Sequence, residues 1–331
     1  MNPGAPDALG LSEALVLRAP QERVAEAVRS VSARVVALDT RYGARDTVDA
    51  AARAAARARG AARTRFPDSA DVLAATAELH QVTGWVAFDA ERQRLSRRMT
   101  LTALDAAGVA GDRSMEYFAL SQLAMQDVHL WRPTEARRVC EAALAAGPAG
   151  SVRTLFTLRL ARAAAQEGER TRARKLIGET LSRYLEGPRR GDPAWTWWLT
   201  EAEIAWHRAI TDADAGAWGA AVEAFDRVAE LTGAGGRAAV AEETGGSGRF
   251  LFHAAVSRLW VLARVGSWEE AEAVLVRDVL PGLGSVASVR CERRLAEAVR
   301  LLDTARDRPS LRDTARWCAE RSGAGVPEAP L

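Results

Sequence analysis

The fold is decided by residues 71–113, which read DVLAATAELHQVTGWVAFDAERQRLSRRMTLTALDAAGVAGDR. This stretch is typical of two helices joined by a tight turn, and the same layout recurs several times downstream. A helix pair cannot bury both of its faces alone, so it needs stacked neighbours. The sequence therefore predicts an all-α protein built as a right-handed superhelix of antiparallel helix hairpins.

Small residues lie at corresponding positions of the two helices of each hairpin. In the first hairpin they are Gly84 and Ser96, and this arrangement is typical of tetratricopeptide repeats, whose paired helices pack closely. The same spacing of twelve residues recurs in four later pairs: Ala124 and Ala136, Ala161 and Ala173, Ala209 and Ala221, and Leu259 and Ala271. In the last pair, Leu259 is too large for the pattern. An alanine-rich chain also produces such pairs by chance. The turn signals between the members of each pair favour a tetratricopeptide-like solenoid.

Composition and charge exclude several classes of protein. The chain has 331 residues with 45 basic and 43 acidic side chains, and a net charge of +2 gives no support for direct nucleic-acid binding. The three widely spaced cysteines form neither a metal motif nor a disulfide framework. No run of 18 apolar residues predicts a membrane span. We expect a cytoplasmic protein with reduced thiols.

Breaks in the helical pattern divide the chain into five parts. We predict a flexible lead-in at 1–19, an N-terminal helix pair at 20–66, the tetratricopeptide-like hairpin array at 67–284, capping helices at 285–321 and a disordered tail at 322–331. Capping helices are expected because an open solenoid end exposes its core.

The second helix of the N-terminal pair is unusually basic. It contains Arg53, Arg57, Arg59, Arg63 and Arg65 but few large apolar residues. One interpretation is a surface for an acidic partner or a nucleic-acid backbone. The other, which we favour, is a solvated helix whose buried face consists of alanine.

The first helix of each hairpin lines the concave face of such a superhelix. Counting from the small positions places aromatic, amide and charged groups there, a mixture that suits a peptide or an amphipathic small molecule. The candidate ligand-binding residues are Glu78, Gln81, Trp85, Phe88, Phe118, Gln122, Met125, His129, Arg162, Gln166, Glu203, Trp206, His207, His253, Trp260 and Arg264. Tryptophans at helical spacing are also typical of core between helices. We predict that core role for Trp195 and Trp198.

The histidines do not indicate a metal site. His80, His129, His207 and His253 fall on four different hairpins and show no H-x-x-x-H or H-E-x-x-H spacing. The chain also lacks a serine nucleophile elbow, a phosphate-binding glycine loop and a C-x-x-C motif. We therefore expect no cofactor and assign no catalytic residue.

Three separated motifs resemble one family of regulators. They are AELHQVTGWVAFDAERQRLSRRMTLTALDAAGVAGDR at 77–113, DPAWTWWLTEAEIAW at 192–206 and SVRCERRLAEAVRLLDTARDRPSLRDTARW at 288–317. Together they resemble the tetratricopeptide-like sensor region of actinobacterial Xre-type helix-turn-helix transcriptional regulators. Those regulators carry an N-terminal DNA-binding domain, whereas the first 70 residues here resemble the linker helices that follow it. We expect the DNA-binding module to be absent or supplied by a partner protein.

The resemblance and the concave face together predict a regulatory protein that binds a peptide or small-molecule signal and acts through a partner. Two alternatives stay open. One is an enzyme of specialised metabolism that uses His129, His207, Glu203 or His253 as acid or base. The other is a pure protein–protein scaffold. Homodimer formation is compatible with either function.

Overall fold

The computed structural model describes residues 11, 16, 18–233 and 248–322. The predicted tail at 322–331, apart from its first residue, and most of the lead-in at 1–19 lie outside these residues. Fourteen α-helices and no strand occur in the described chain. They are α1 Gln21–Tyr42, α2 Val48–Thr64, α3 Ala70–Asp89, α4 Gln93–Ala110, α5 Arg113–His129, α6 Pro133–Ala145, α7 Gly150–Gln166, α8 Arg170–Leu185, α9 Glu201–Asp214, α10 Trp218–Thr232, α11 Gly248–Val265, α12 Trp268–Val274, α13 Val289–Leu302 and α14 Pro309–Arg321.

The predicted fold class is confirmed, and the small residues explain how the hairpins pack. Gly84 on α3 lies so close to α4 that a Cβ atom there would be 2.6 Å from the Thr100 hydroxyl oxygen and 3.4 Å from the Ser96 carbonyl oxygen. The later pairs are also buried between their helices. Leu259 is large but fully buried, and it lies in the same core cluster as Ala271. Close approach of each hairpin therefore depends on at least one small residue.

Side-chain caps set the helix starts at the hairpin boundaries. The Ser69 hydroxyl accepts a hydrogen bond from the Val72 amide at 3.3 Å, and the Asp112 carboxylate accepts one from Met115 at 3.0 Å. Each cap satisfies a backbone donor that the first helical turn leaves free. These residues separate successive hairpins as the sequence pattern predicts.

The second helix of the last hairpin differs from the continuous helix that the sequence predicts over 268–281. It is α-helical only over Trp268–Val274 and continues as a π-helical turn, Leu275–Val279, and a 3₁₀ turn, Leu280–Gly282. Proline has no amide hydrogen and cannot continue the ladder of an α-helix, and Pro281 lies at this point. The chain thus turns early toward α13.

Part of the predicted lead-in is packed against the N-terminal helix pair. Leu11 and Val16 are buried in the same core cluster as the valines of α1. Arg57 on α2 and Arg65, which directly follows α2, donate to the carbonyl oxygens of Leu11 and Val16, at 3.0 and 2.6 Å. Two of the five arginines of this basic stretch thus hold a neighbouring segment, so the lead-in is not loose at Leu11 and Val16.

The superhelix closes on itself through α13. This helix packs on the last hairpin, and its Glu292 forms an ion pair with Arg45, which follows α1. Helix α11 also packs against α1. Arg290 forms an ion pair with the fully buried Asp89 of α3 at 3.1 Å, although the two residues are 201 positions apart. We use the term seam for this ion pair together with the backbone hydrogen bonds that join Tyr42 and Arg45 to Ala287.

The backbone at the seam approaches α1 directly. The Ala287 amide donates to the Tyr42 carbonyl oxygen at 2.5 Å, and the Arg45 amide donates to the Ala287 carbonyl oxygen at 3.0 Å. Gly43 lies between the two hydrogen-bonding residues Tyr42 and Arg45. Its φ angle is +87°, and a Cβ atom there would be 2.8 Å from the Ala287 backbone. Only glycine accommodates both that dihedral angle and that distance. The helix array is therefore a closed ring instead of an open trough.

No helix among the described residues is long and apolar enough to cross a lipid bilayer.

Hairpin packing is tested by replacing Gly84 with leucine. Gly84→Leu forces a large side chain against Thr100 and the α4 backbone, and overpacking of this kind costs about 1–3 kcal/mol or more. Gly178→Leu is the matched control, because Gly178 lies within α8 and a Cβ there has no neighbour within 4 Å. Urea unfolding followed by circular dichroism should show a loss of stability only for Gly84→Leu. Equal stability of the two variants would contradict the packing described here.

Candidate functional site

The first helices of the hairpins, together with α1 and α13, surround an internal cavity of about 490 Å³. Each first helix turns its small residues toward its own second helix, so its opposite side faces the centre of the ring. The lining comes from α1, α3, α5, α7, α9, α11 and α13, and from the segment that precedes α9. Because the seam closes the ring, residues from both ends of the chain meet in one cavity.

Nine of the sixteen predicted ligand-binding residues line this cavity. They are Glu78, Trp85, Phe118, Gln122, Met125, Glu203, Trp206, His207 and His253. The other seven, Gln81, Phe88, His129, Arg162, Gln166, Trp260 and Arg264, do not line it.

Five of these seven lie between helices of neighbouring hairpins. Gln81 is fully buried, and Phe88 packs edge-on against the His129 ring with 4.8 Å between centroids. Arg162 and Gln166 on α7 both donate to the Asp214 carboxylate, at 2.7 and 2.8 Å. Counting residues along a helix assigns more of them to the concave face than reach the centre of the ring. Residues at its edges contact the next hairpin instead.

Trp260 and Arg264 lie on α11 but away from the cavity. The Arg294 guanidinium stacks on the Trp260 ring at 4.1 Å, and Arg264 lies 5.3 Å from the Trp218 ring. Trp218 belongs to α10, so these contacts join α11 to its neighbours on both sides. Both residues act here in helix packing.

The segment before α9 crosses one side of the cavity. Residues 194–198 form a 3₁₀ turn, and α9 begins at Glu201 because the Thr200 hydroxyl caps it, accepting from the Glu203 amide at 3.2 Å. Trp195 stacks on Phe118 with 4.5 Å between centroids and 2° between planes. Trp195, Trp197 and Trp198 all line the cavity. Both Trp195 and Trp198 also pack, partly buried, against the hydrophobic cluster of α7, α8 and α9, so the predicted core role is present together with their place in the cavity wall.

At one end of the cavity wall, a buried aspartate lies next to arginine side chains and a tryptophan ring. Asp39 on α1 is buried, and its Oδ2 accepts from Trp85 Nε1 at 2.7 Å and lies 3.2 Å from Arg249 Nε. Burial raises the pKa of this carboxyl group, while Arg249 opposes the rise. The guanidinium groups of Arg249 and Arg290 lie 4.9 and 5.5 Å from the Trp85 ring centre. Trp85 is therefore fixed by one hydrogen bond and two cations.

A second polar group lies on α7 and α9. Arg159 Nη1 is 2.9 Å from His207 Nε2, and Glu203 Oε1 is 3.5 Å from the same nitrogen. Burial and the nearby Arg159 charge lower the pKa of His207 to about 4, so the imidazole is neutral at pH 7 and its Nε2 accepts from Arg159. Burial lowers the pKa of Arg159 to about 10, which leaves it charged.

Sequence analysis missed the charged residues Asp39, Arg159, Arg249 and Arg290. Arg159 carries a recognisable signal, since it is a single charge within the apolar run LFTLRLA of α7. Asp39 and Arg290 lie on α1 and α13, which were not assigned to the concave face, and closure of the ring brings them into the wall. Arg249 lies in the first turn of α11, one turn before the predicted residue His253. No set of His, Cys, Asp and Glu side chains in the described chain is arranged to hold a metal ion.

A second cleft, of about 760 Å³, lies on the outer surface between α2, α4 and α5. It is open to solvent and strongly basic, with Arg59, Arg94, Arg97, Arg98 and Arg132 in its wall. The inner cavity is less open, and its wall carries five tryptophans and equal numbers of acidic and basic side chains. Those are the properties of a small-ligand site.

The sequence matches no protein-family model and no curated protein. Among solved structures, the chain is similar to that of a Rap protein complexed with competence and sporulation factor. The TM-score is 0.56 at 13% sequence identity, and the match covers 93% of this chain and 87% of the Rap chain. The two proteins therefore share the helical-repeat fold.

The Trp195 contact across the ring is tested with two tryptophan variants. Trp195→Ala removes the stack on Phe118 and the hydrogen bond from Nε1 to the Ser114 hydroxyl at 3.0 Å. We expect a loss of about 2–3 kcal/mol in unfolding free energy and faster hydrogen exchange in residues 194–200. Trp197→Ala is the control, because Trp197 is 44% exposed and should cost less than about 1 kcal/mol. Similar losses for both variants would show that Trp195 does not fix the segment.

Proposed function

We propose that this protein is a regulatory protein that encloses a short peptide or an amphipathic small molecule in its inner cavity and transmits the ligand's presence to a partner protein. The observation that carries the proposal is a tryptophan-lined cavity whose wall contains buried hydrogen-bond donors that have no partner among the described residues. Its volume of about 490 Å³ lies within the range of roughly 300–1,000 Å³ for small-ligand pockets. This size favours a compact ligand over a long extended peptide.

Three buried donors in the wall lack a partner among the described residues. They are Gln122 Nε2, Arg159 Nε and Trp206 Nε1, from three different helices. Leaving such a group unpaired costs about 1–3 kcal/mol each. A ligand with carbonyl or carboxylate oxygens would satisfy them, while Trp85, Phe118 and Trp206 would contact its apolar part.

The position of the cavity suggests how binding would alter the protein. Asp39, Arg249 and Arg290 line the cavity beside the seam, whereas Gln122 and Arg159 lie on hairpins in the middle of the chain. A ligand that contacts residues on both sides binds the closed ring more tightly than a more open form of the superhelix. A regulatory ligand requires such a difference in affinity between two conformations. A partner protein that recognises one curvature would then respond to the ligand.

Two comparisons support a regulatory role. The Rap chain has the same fold and was solved complexed with competence and sporulation factor, so helices in this arrangement can hold a bound signal. The resemblance to Xre-type transcriptional regulators suggests that the partner is a DNA-binding protein.

The alternative of an enzyme has one supporting contact, the Glu203 carboxylate 3.5 Å from His207. A general base needs a free ring nitrogen near its substrate. The nitrogen that faces Glu203 already accepts a hydrogen bond from Arg159. A scaffold without a ligand would be favoured by a wide polar groove, whereas the wall of this cavity is mostly apolar.

Ligand binding is tested by native mass spectrometry of the protein purified from its own host. We expect a retained molecule of low mass, which is then added back to ligand-free protein in a calorimetric titration. In Val82→Phe, a phenyl ring on the buried wall residue Val82 would fill part of the cavity and should weaken binding at least tenfold. Val109→Phe is the control, because Val109 is 67% exposed and outside the cavity. No retained molecule, and no binding across a broad panel of peptides and metabolites, would contradict the proposal.

A further inference from the structure

Arg159 is exceptional among the arginines around the cavity. Its side chain is only 4% exposed, and it projects from the middle of α7 into the cavity wall. Nη1 donates to the neutral His207 ring, and Nε has no hydrogen-bond partner among the described residues. A buried guanidinium normally faces a carboxylate, because an uncompensated buried charge is costly.

The neighbouring arginines follow that rule. Arg249 lies 3.2 Å from Asp39, Arg290 lies 3.1 Å from Asp89, and Arg162 lies 2.7 Å from Asp214. Within the described residues, no carboxylate oxygen comes within 4.0 Å of the Arg159 guanidinium. Glu203 is the acid whose charge acts on it most strongly, and the His207 ring lies between them. Arg159 thus holds a positive charge at the cavity without a directly bound anion from the protein.

The surrounding residues decide which anion would suit this position. A guanidinium offers five N–H groups in a planar fork that matches a carboxylate, and only one of them is used by His207. Glu78, Glu203 and Asp39 line the same cavity and would repel a second negative charge. Trp198 lies 5.8 Å from the guanidinium and offers an aromatic surface next to it. A single negative charge on an otherwise apolar molecule fits best.

We propose that Arg159 binds the carboxylate of an amphipathic ligand whose apolar part contacts the tryptophans of the cavity. This inference rests on the proposed function of the cavity and names the chemical class of its ligand. The carboxylate belongs either to the C-terminus of a short peptide or to a small aromatic acid. Both sources present the same group to Arg159.

The experiment compares matched acids and amides by calorimetric titration. The probes are 3-phenylpropanoate with 3-phenylpropanamide, indole-3-acetate with indole-3-acetamide, and a panel of apolar tripeptides with free or amidated C-termini. We expect at least one acid to bind the wild-type protein about 10- to 100-fold more tightly than its amide. Whether that acid is a tripeptide or a small aromatic molecule identifies the source.

The variant Arg159→Met should remove the preference for the acid and leave binding of the amide nearly unchanged. Arg264→Met is the control, because Arg264 is exposed and outside the cavity, and it should keep the full preference. Arg159→Met should also melt at or above the wild-type temperature, since it replaces a buried charge by an apolar side chain of similar length. A marked fall in melting temperature would show that Arg159 serves the fold, and it would overturn the inference.

Other outcomes separate this inference from the proposed function. If no acid binds the wild-type protein more tightly than its amide, the assignment of Arg159 is wrong. Binding of neutral probes to the wild-type protein but not to Val82→Phe would then still support a ligand cavity. Tighter binding of phenyl phosphate than of 3-phenylpropanoate would overturn the choice of a carboxylate.

Discussion

The ion pair between Asp89 and Arg290 joins the two ends of the helix array, and the cavity exists because of that closure. Asp89 is fully buried at the C-terminal end of α3, and Arg290 reaches it from the first turn of α13. Arg290 also lies 5.1 Å from the Phe88 ring centre and within the cavity wall. Without this contact and the backbone bonds at Gly43, the first helices would line an open trough. The cavity is therefore a property of the seam as much as of the hairpins.

The repeat architecture could be predicted from the sequence because its determinants are local. Gly84 and Ser96 lie within one hairpin, and their spacing alone indicates the close contact that the structure contains. Closure could not be predicted, because Asp89 and Arg290 are 201 positions apart and meet only through the summed curvature of all the hairpins. The same reason explains why Asp39 and Arg290 were missed as cavity residues.

The site was predicted in part for a related reason. Counting from a small residue correctly places Trp206 and His207 at the cavity, since both lie near the centre of the inward face of α9. Arg162 fails because it lies at the edge of its face and pairs with Asp214 of the next hairpin. Trp195 was not assigned to the cavity, because it lies in a 3₁₀ turn before α9 where counting along a helix does not apply. Periodicity describes regular helices well but says nothing about the segments between them.

The cavity wall also carries an energetic cost that bears on function. Gln122, Arg159 and Trp206 each keep a buried donor that has no partner in the described part of the chain, and natural cores contain few such groups. Polar groups of this kind are retained where they serve binding or specificity more often than stability. The wall is consistent with a site in which another molecule accepts these hydrogen bonds. The proposed ligand would then bind most tightly to the closed ring.

Closure is tested most directly by a double-mutant cycle on Asp89→Ala and Arg290→Ala, measured by urea unfolding of the full chain. If the two side chains meet in a buried ion pair, the double variant loses less stability than the sum of the single variants, by at least about 1 kcal/mol. The control cycle pairs Arg290→Ala with Asp71→Ala, because Asp71 lies at the other end of α3 and bonds Arg29 instead. In this control cycle, the losses of unfolding free energy from the two single substitutions should be additive. Additive losses for Asp89 and Arg290 themselves, within about 0.3 kcal/mol, would contradict the closed ring.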